Sequence, residues 1–133
     1  MARCASCLRC TYDLAARQSF IERYAGLRVV ADRLNREMPK AHVGFLVVNG
    51  TGPSGFVGYS RAANWHDWAM FSALVSAENI DDVAAIVRRF DLTHIVVATS
   101  PQEVEIPGLR DYVAQRTTPV WTMGDFVVAV VQR

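Results

Sequence analysis

Three features of the amino-acid sequence point to an α/β fold: a mixed β-sheet with helices packed on it as a layered sandwich, ending in a β-hairpin. The stretch Asn79–Ala98 reads as an amphipathic helix, a short joint and a buried strand. His42 to Val48 is an almost unbroken apolar run, the mark of a strand covered on both faces. Two β-rich runs, Val120–Met123 and Phe126–Val131, are separated only by Gly124-Asp125, a tight hairpin turn. Strands that alternate with helices and then close in a hairpin make a mixed, helix-covered sheet.

In chain order, the first element is a helix predicted over Arg17–Met38. Phe20, Tyr24, Leu27, Ala31, Leu34 and Met38 recur at spacings of four and three and form one stripe. Glu22, Asp32, Arg33 and Arg36 occupy the solvated face, and Pro39 stops the helix. The His42–Val48 strand follows, then a loop from Asn49 to Gly55 rich in Gly and Pro. Phe56–Tyr59 is a short second strand. Asn64–Ser76 is aromatic and irregular, with one or two helical turns. In the next helix Ile80, Val83, Ile86, Val87 and Phe90 share a face. Asn79 caps it, Asp81 and Asp82 complement its positive end, and Arg88 and Arg89 its negative end. Leu92 and Ile95–Val97 make the strand after it. Ser100–Pro107 is loop, and Gly108–Gln115 is a short helix with Leu109, Tyr112 and Val113 facing inward.

A chain of 133 residues fits one domain with a real core. Residues 17–133 are read as a single α/β domain, and residues 1–16 as a poorly ordered, Cys-containing leader. The net charge of +1 gives no field that would gather nucleic acid, so no nucleic-acid partner is expected. No apolar run reaches the roughly 18 residues needed to cross a bilayer. The N-terminus lacks the apolar stretch of a signal peptide. On composition alone the chain is expected to be soluble.

The motifs that could carry chemistry are few. Cys4, Cys7 and Cys10 are spaced like metal or iron–sulfur ligands, but such sites need four ligands. No fourth Cys follows and the nearest His is His42, so no metal and no cofactor are expected. Gly50, Gly52 and Gly55 spell the dinucleotide fingerprint after a strand. That motif also requires a helix start whose amides meet a pyrophosphate, and an acidic residue about 20 positions on. Phe56-Val57-Gly58-Tyr59 favours strand instead, and Asp67 is too near. Ser54 lacks the spacing of a nucleophile elbow. His42, His66 and His94 are scattered, and Glu103 and Glu105 sit in a loop that fixes no separation between them.

Trp65-His66-Asp67-Trp68 is the candidate contact segment. Two indoles and an imidazole beside a carboxylate can stack on a sugar ring and hydrogen-bond its hydroxyls, or face a protein or membrane boundary. The alternative is packing: indoles covering the sheet edge, with Asp67 paired to a nearby cation.

From Ser76 to Val97 the chain reads S-A-E-N-I-D-D-V-A-A-I-V-R-R-F-D-L-T-H-I-V-V. This resembles the C-terminal soluble domain of bacterial GT-C membrane glycosyltransferases, relatives of the dolichyl-phosphate-mannose protein mannosyltransferases. The helix R-Q-S-F-I-E-R-Y-A-G-L-R-V-V-A-D-R-L-N-R-E-M-P is similar to the segment that leads from the last membrane span into that domain. H-V-G-F-L-V-V resembles its first strand and P-V-W-T-M-G-D-F-V-V-A-V-V its closing hairpin. Two departures stand out: Asp91-Leu92 replaces the Gly more usual before the Thr-His pair, and the Cys-rich start has no counterpart.

The resemblance implies a noncatalytic module on the extracytoplasmic face of the membrane. It would support the membrane-embedded part of a lipid-linked-sugar glycosyltransferase, or bind an acceptor glycan or partner protein. Sugar transfer in that family depends on acidic residues of an extracytoplasmic loop among membrane helices, which have no match here, so no catalytic residue carries over. Gly50, Gly52, Gly55, Trp65, His66, Asp67 and Trp68 are the expected contact residues. The competing expectation is a small stand-alone nucleotide-binding protein using the Gly50–Gly55 loop.

Overall fold

A computed structural model describes residues 13–48, 55–102 and 104–133, with the backbone alone at 20–24. The elements run α1 (Leu14–Tyr24), α2 (Gly26–Glu37), β1 (Val43–Phe45), β2 (Ser60–Ala62), α3 (Trp68–Val75), α4 (Ile80–Arg89), β3 (His94–Ala98), α5 (Leu109–Arg116), β4 (Thr117–Met123) and β5 (Phe126–Val131). The strands form one five-stranded sheet in the order β2-β1-β3-β5-β4. β1 pairs in parallel with β2 and β3, and β5 runs antiparallel to both β3 and β4.

Both faces of the sheet are covered, as the apolar run at β1 requires. Val43 and Phe45 pack with Val96, Val128 and the Leu27-Val30-Leu34 stripe of α2. Leu46, Ile95, Val97 and Ala129 turn to the other face, where α3, α4 and α5 bring Met70, Leu74, Val83, Val87 and Tyr112. Alternation along each strand thus feeds two cores, one on either side. β1 packs tightly at Gly44 against the turn that follows α4: an added Cβ would come within 2.5 Å of Leu92 Cδ1.

The joint between α4 and β3 is a Schellman turn. Asp91 N–H donates to the Arg88 carbonyl at 3.0 Å, and Leu92 N–H to the Val87 carbonyl at 3.0 Å. Asp91 takes the left-handed conformation there, with φ 50°, and is the non-glycine residue that does so among those described. Thr93 then ties the start of β3 to β1. Its hydroxyl accepts from His42 N–H at 2.9 Å, and its own N–H donates to the His42 carbonyl at 2.9 Å.

Besides shortening the expected 42–48 strand to Val43–Phe45, the structure departs from the expected elements in four places. The helix predicted over 17–38 is two helices, broken at Ala25, whose φ of −137° and ψ of 50° leave the helical region. Gly26 makes the break useful, since a Cβ there would lie 2.9 Å from the Phe126 ring; the missing side chain lets α2 sit on β5. Second, α1 starts at Leu14, inside the segment read as leader, because the Asp13 carboxylate accepts from Ala15 N–H at 2.9 Å and caps it. Third, β2 occupies Ser60–Ala62 rather than 56–59: pairing with β1 overrides the weak intrinsic strand preference of Ser-Arg-Ala. Fourth, β4 begins at Thr117, three residues early. It is an edge strand, which accommodates Pro119, and its register shifts between Pro119 and Trp121.

Candidate functional site

The carboxyl ends of the parallel strands β2, β1 and β3 carry the candidate site. Chain leaving β2 enters the 63–67 turn, and chain leaving β3 enters the 99–108 loop. In open α/β sheets this edge is where ligands and partners are met, because loops of free sequence gather there above a fixed scaffold.

Asn64 and Asp67 build the turn after β2. The Asn64 side chain accepts from His66 N–H at 3.0 Å. Asp67 caps α3 by accepting from Met70 N–H at 3.3 Å, and also accepts from Ala62 N–H at 3.1 Å. Arg61 holds the same carboxylate with two parallel hydrogen bonds, both 2.7 Å. This fork-to-fork pair, partly shielded from water, is the strong form of the interaction. Asp67 is therefore a structural hub, with its oxygens committed to β2, α3 and Arg61.

The indoles beside it are not packed on the sheet edge. Trp65 is 71% exposed and Trp68 66% exposed. The Trp65 ring lies 3.5 Å, centroid to centroid, from the His66 imidazole, and the Trp68 ring 5.8 Å from Phe71. A turn whose polar atoms are spent internally thus presents two large amphipathic rings to its surroundings. Such rings suit a partner that is apolar on one side and wet on the other.

A cleft of about 360 Å³ opens on the same edge, between the ends of β1 and β3 and the start of α5. Leu46, Val48, Val97 and Leu109 line its floor, and Thr99 and Gln102 its rim. The connections from β1 and β3 diverge at this point, which is the switch point of the sheet. The sequence gives little sign of it, because its walls come from segments that only the topology brings together.

Of the glycines in the dinucleotide-like loop, Gly50 and Gly52 lie outside the described residues. Gly55 has φ 90°, and its carbonyl accepts from the Asn35 side chain at 2.6 Å, while Asn35 Oδ1 accepts from Val57 N–H at 3.0 Å. Asn35 thus clips the loop to α2. Beyond Gly55 the chain continues without helix into β2, and the next helix is α3. The described residues therefore supply no helix N-terminus after Gly55 for a pyrophosphate.

The remaining polar candidates serve the scaffold or stand apart. His42 Nδ1 is 3.0 Å from the Asp91 carbonyl and 3.2 Å from its carboxylate. His94 Nδ1 is 2.9 Å from the Thr93 hydroxyl, and burial pushes its pKa below the ordinary imidazole value. Glu105 is exposed and 3.8 Å from Arg110. Cys4, Cys7, Cys10, Ser54 and Glu103 lie outside the described residues. Among the described residues no group of three His, Cys, Asp or Glu side chains could hold a metal ion, and no helix is long and apolar enough to cross a membrane.

No family model matches this chain, no curated protein matches it, and no solved structure matches it.

Proposed function

We propose that this chain is a noncatalytic α/β module of the kind that ends lipid-linked-sugar glycosyltransferases, and that it works by docking. The surface offered is the 65–68 turn, and the partner is the membrane-embedded portion of such an enzyme on the extracytoplasmic face. An acceptor glycan is a second occupant suited to the same indoles.

The observation that carries this reading is the division of roles within one turn. Its carboxylate is fully engaged in holding β2 and α3, whereas its two indoles are bare. A site built for bond-making keeps a carboxylate or imidazole free to meet a substrate. A docking surface instead keeps aromatic area free on a rigid support. The family resemblance adds support at the α4–β3 joint. Within the Asp91-Leu92 joint that replaces the family's more usual Gly, Asp91 takes the left-handed conformation that glycine adopts without strain.

The test begins with the DNA upstream of Met1 and beside it. The proposal expects coding sequence for a polypeptide with many hydrophobic spans, in frame or as a neighbouring gene. Co-expressed with that polypeptide, the chain should co-purify in detergent, and Trp65→Ala with Trp68→Ala should abolish co-purification without unfolding the chain. Absence of any such coding sequence, or full retention of the complex by the double variant, would contradict it.

A further inference from the structure

At the opposite, amino edge of the sheet, a second hollow of about 500 Å³ lies among the ends of α4, α5 and β5. Val87, Leu92 and Val131 give it an apolar floor, and Arg88, Arg116 and Tyr112 face it from two helices. Each of these arginines falls in the last turn of its helix, where the helix dipole favours a cation. That placement explains why a cation is tolerated at each position. It does not explain why two of them border one hollow that Arg133 and a single carboxylate, Asp91, also line.

Among the described residues neither Arg88 nor Arg116 forms an ion pair. The carboxylate lining the hollow, Asp91, is held by Arg133 at 3.2 Å and by His42 at 3.2 Å. Tyr112 is only 3% exposed, yet its hydroxyl makes no hydrogen bond among the described residues. Burial raises the pKa of that phenol, against the pull of Arg116 and Arg88, so it keeps its proton at neutral pH and can donate. The hydroxyl opens onto the hollow that Tyr112 lines, where it can donate to an acceptor arriving from outside.

We propose that this hollow binds a phosphate group, with Arg88 and Arg116 donating to its oxygens and the Tyr112 hydroxyl supplying a third donor. Two guanidinium groups match the charge of a phosphate monoester, close to −2 at neutral pH. Their planar forks suit its paired oxygens. The apolar floor accommodates whatever carbon skeleton the phosphate carries. The phosphate comes from a soluble phosphorylated molecule or from the headgroup of an anionic lipid, and the chemistry of recognition is the same for both. This site is independent of the docking surface: it uses other residues at the other edge of the sheet, and either can fail alone.

Calorimetric titration of the full chain with pyrophosphate tests the first source. Flotation with phosphatidylcholine vesicles containing phosphatidic acid tests the second. Saturable binding in either arm is expected, weakened about tenfold to a hundredfold by Arg88→Gln or Arg116→Gln and several-fold by Tyr112→Phe. Arg110→Gln, which removes an equal charge elsewhere on the surface, should leave it unchanged. Circular dichroism of each variant verifies the fold. Pyrophosphate binding without flotation assigns a soluble ligand, and flotation without pyrophosphate binding assigns a lipid headgroup. Binding in neither arm at millimolar pyrophosphate, or equal weakening by Arg110→Gln, would overturn the proposal.

Discussion

Asp91 holds a backbone conformation that a residue with a Cβ adopts at some cost, and it does so where a helix must turn sharply into a buried strand. Its contact with His42 and its ion pair with Arg133 are well exposed and stabilise little. Asp91→Gly should therefore raise the unfolding free energy by up to about 1 kcal/mol in urea titration; a loss of stability would mean that the ion pairs outweigh the backbone strain. Asp67 has the opposite character. Asp67→Ala removes a helix cap, a strand hydrogen bond and the partner of Arg61 together, and should cost about 2–4 kcal/mol. His94 gives the chain a pH signature. Burial lowers its pKa below the ordinary 6.5, so the unfolded chain binds this proton more tightly than the folded one. Its effect is absent above that pH. Stability declines as the pH falls through 6.5, and levels off once the folded imidazole is protonated too. His94→Gln should flatten this slope in melting temperatures measured across the range, and an unchanged slope would assign it to another group.

The α4–β3 unit shows why some elements can be read from sequence and others cannot. Its cap, its charged ends and its apolar face are all local signals, and each is found in place: Asn79 accepts from Asp81 N–H at 2.9 Å and Asp82 N–H at 3.0 Å. The hairpin turn at Gly124-Asp125 is equally local, with Gly124 at φ 56°. By contrast, the break at Ala25 depends on the distant Phe126 ring, and the position of β2 depends on the register of β1. Neither partner is close in sequence, so the local pattern runs the helix through its break and places β2 too early. Gly108 is a similar long-range contact hidden in a loop. It starts α5 at φ 78°, and a Cβ there would lie 2.2 Å from the Asn79 carbonyl carbon and 2.4 Å from Ile80 N. Gly108→Ala must displace backbone at the N-terminus of α4 as well as bear the strained φ. It should cost about 2 kcal/mol or more by chemical denaturation. A near-neutral outcome would show that the two helix starts are not rigidly packed.

Across the molecule, the two edges of the sheet hold the features that could meet partners, while the two cores on its faces hold it together. Trp65-His66-Asp67-Trp68 stands out in composition as a candidate contact segment, but its inner arrangement is not legible there: only the pairing of β2 beside α3 brings Arg61 onto Asp67 and leaves the indoles exposed. The basic hollow escaped sequence reading altogether, since Arg88, Arg116 and Tyr112 come from helices separated by a strand and a loop, and each looks ordinary in its own helix. Replacing both indoles by Ala should change stability by no more than about 0.5 kcal/mol, because exposed side chains contribute little to the core. A large loss would place them in the packing instead. The proposed docking role requires that the chain by itself make or break no glycosyl bond. The decisive measurement is product formation by the purified full chain, offered polyprenyl-phosphate sugars and nucleotide sugars as donors with glycan and peptide acceptors. No product above the enzyme-free background is predicted. Turnover that disappears when a single polar side chain is removed would contradict it.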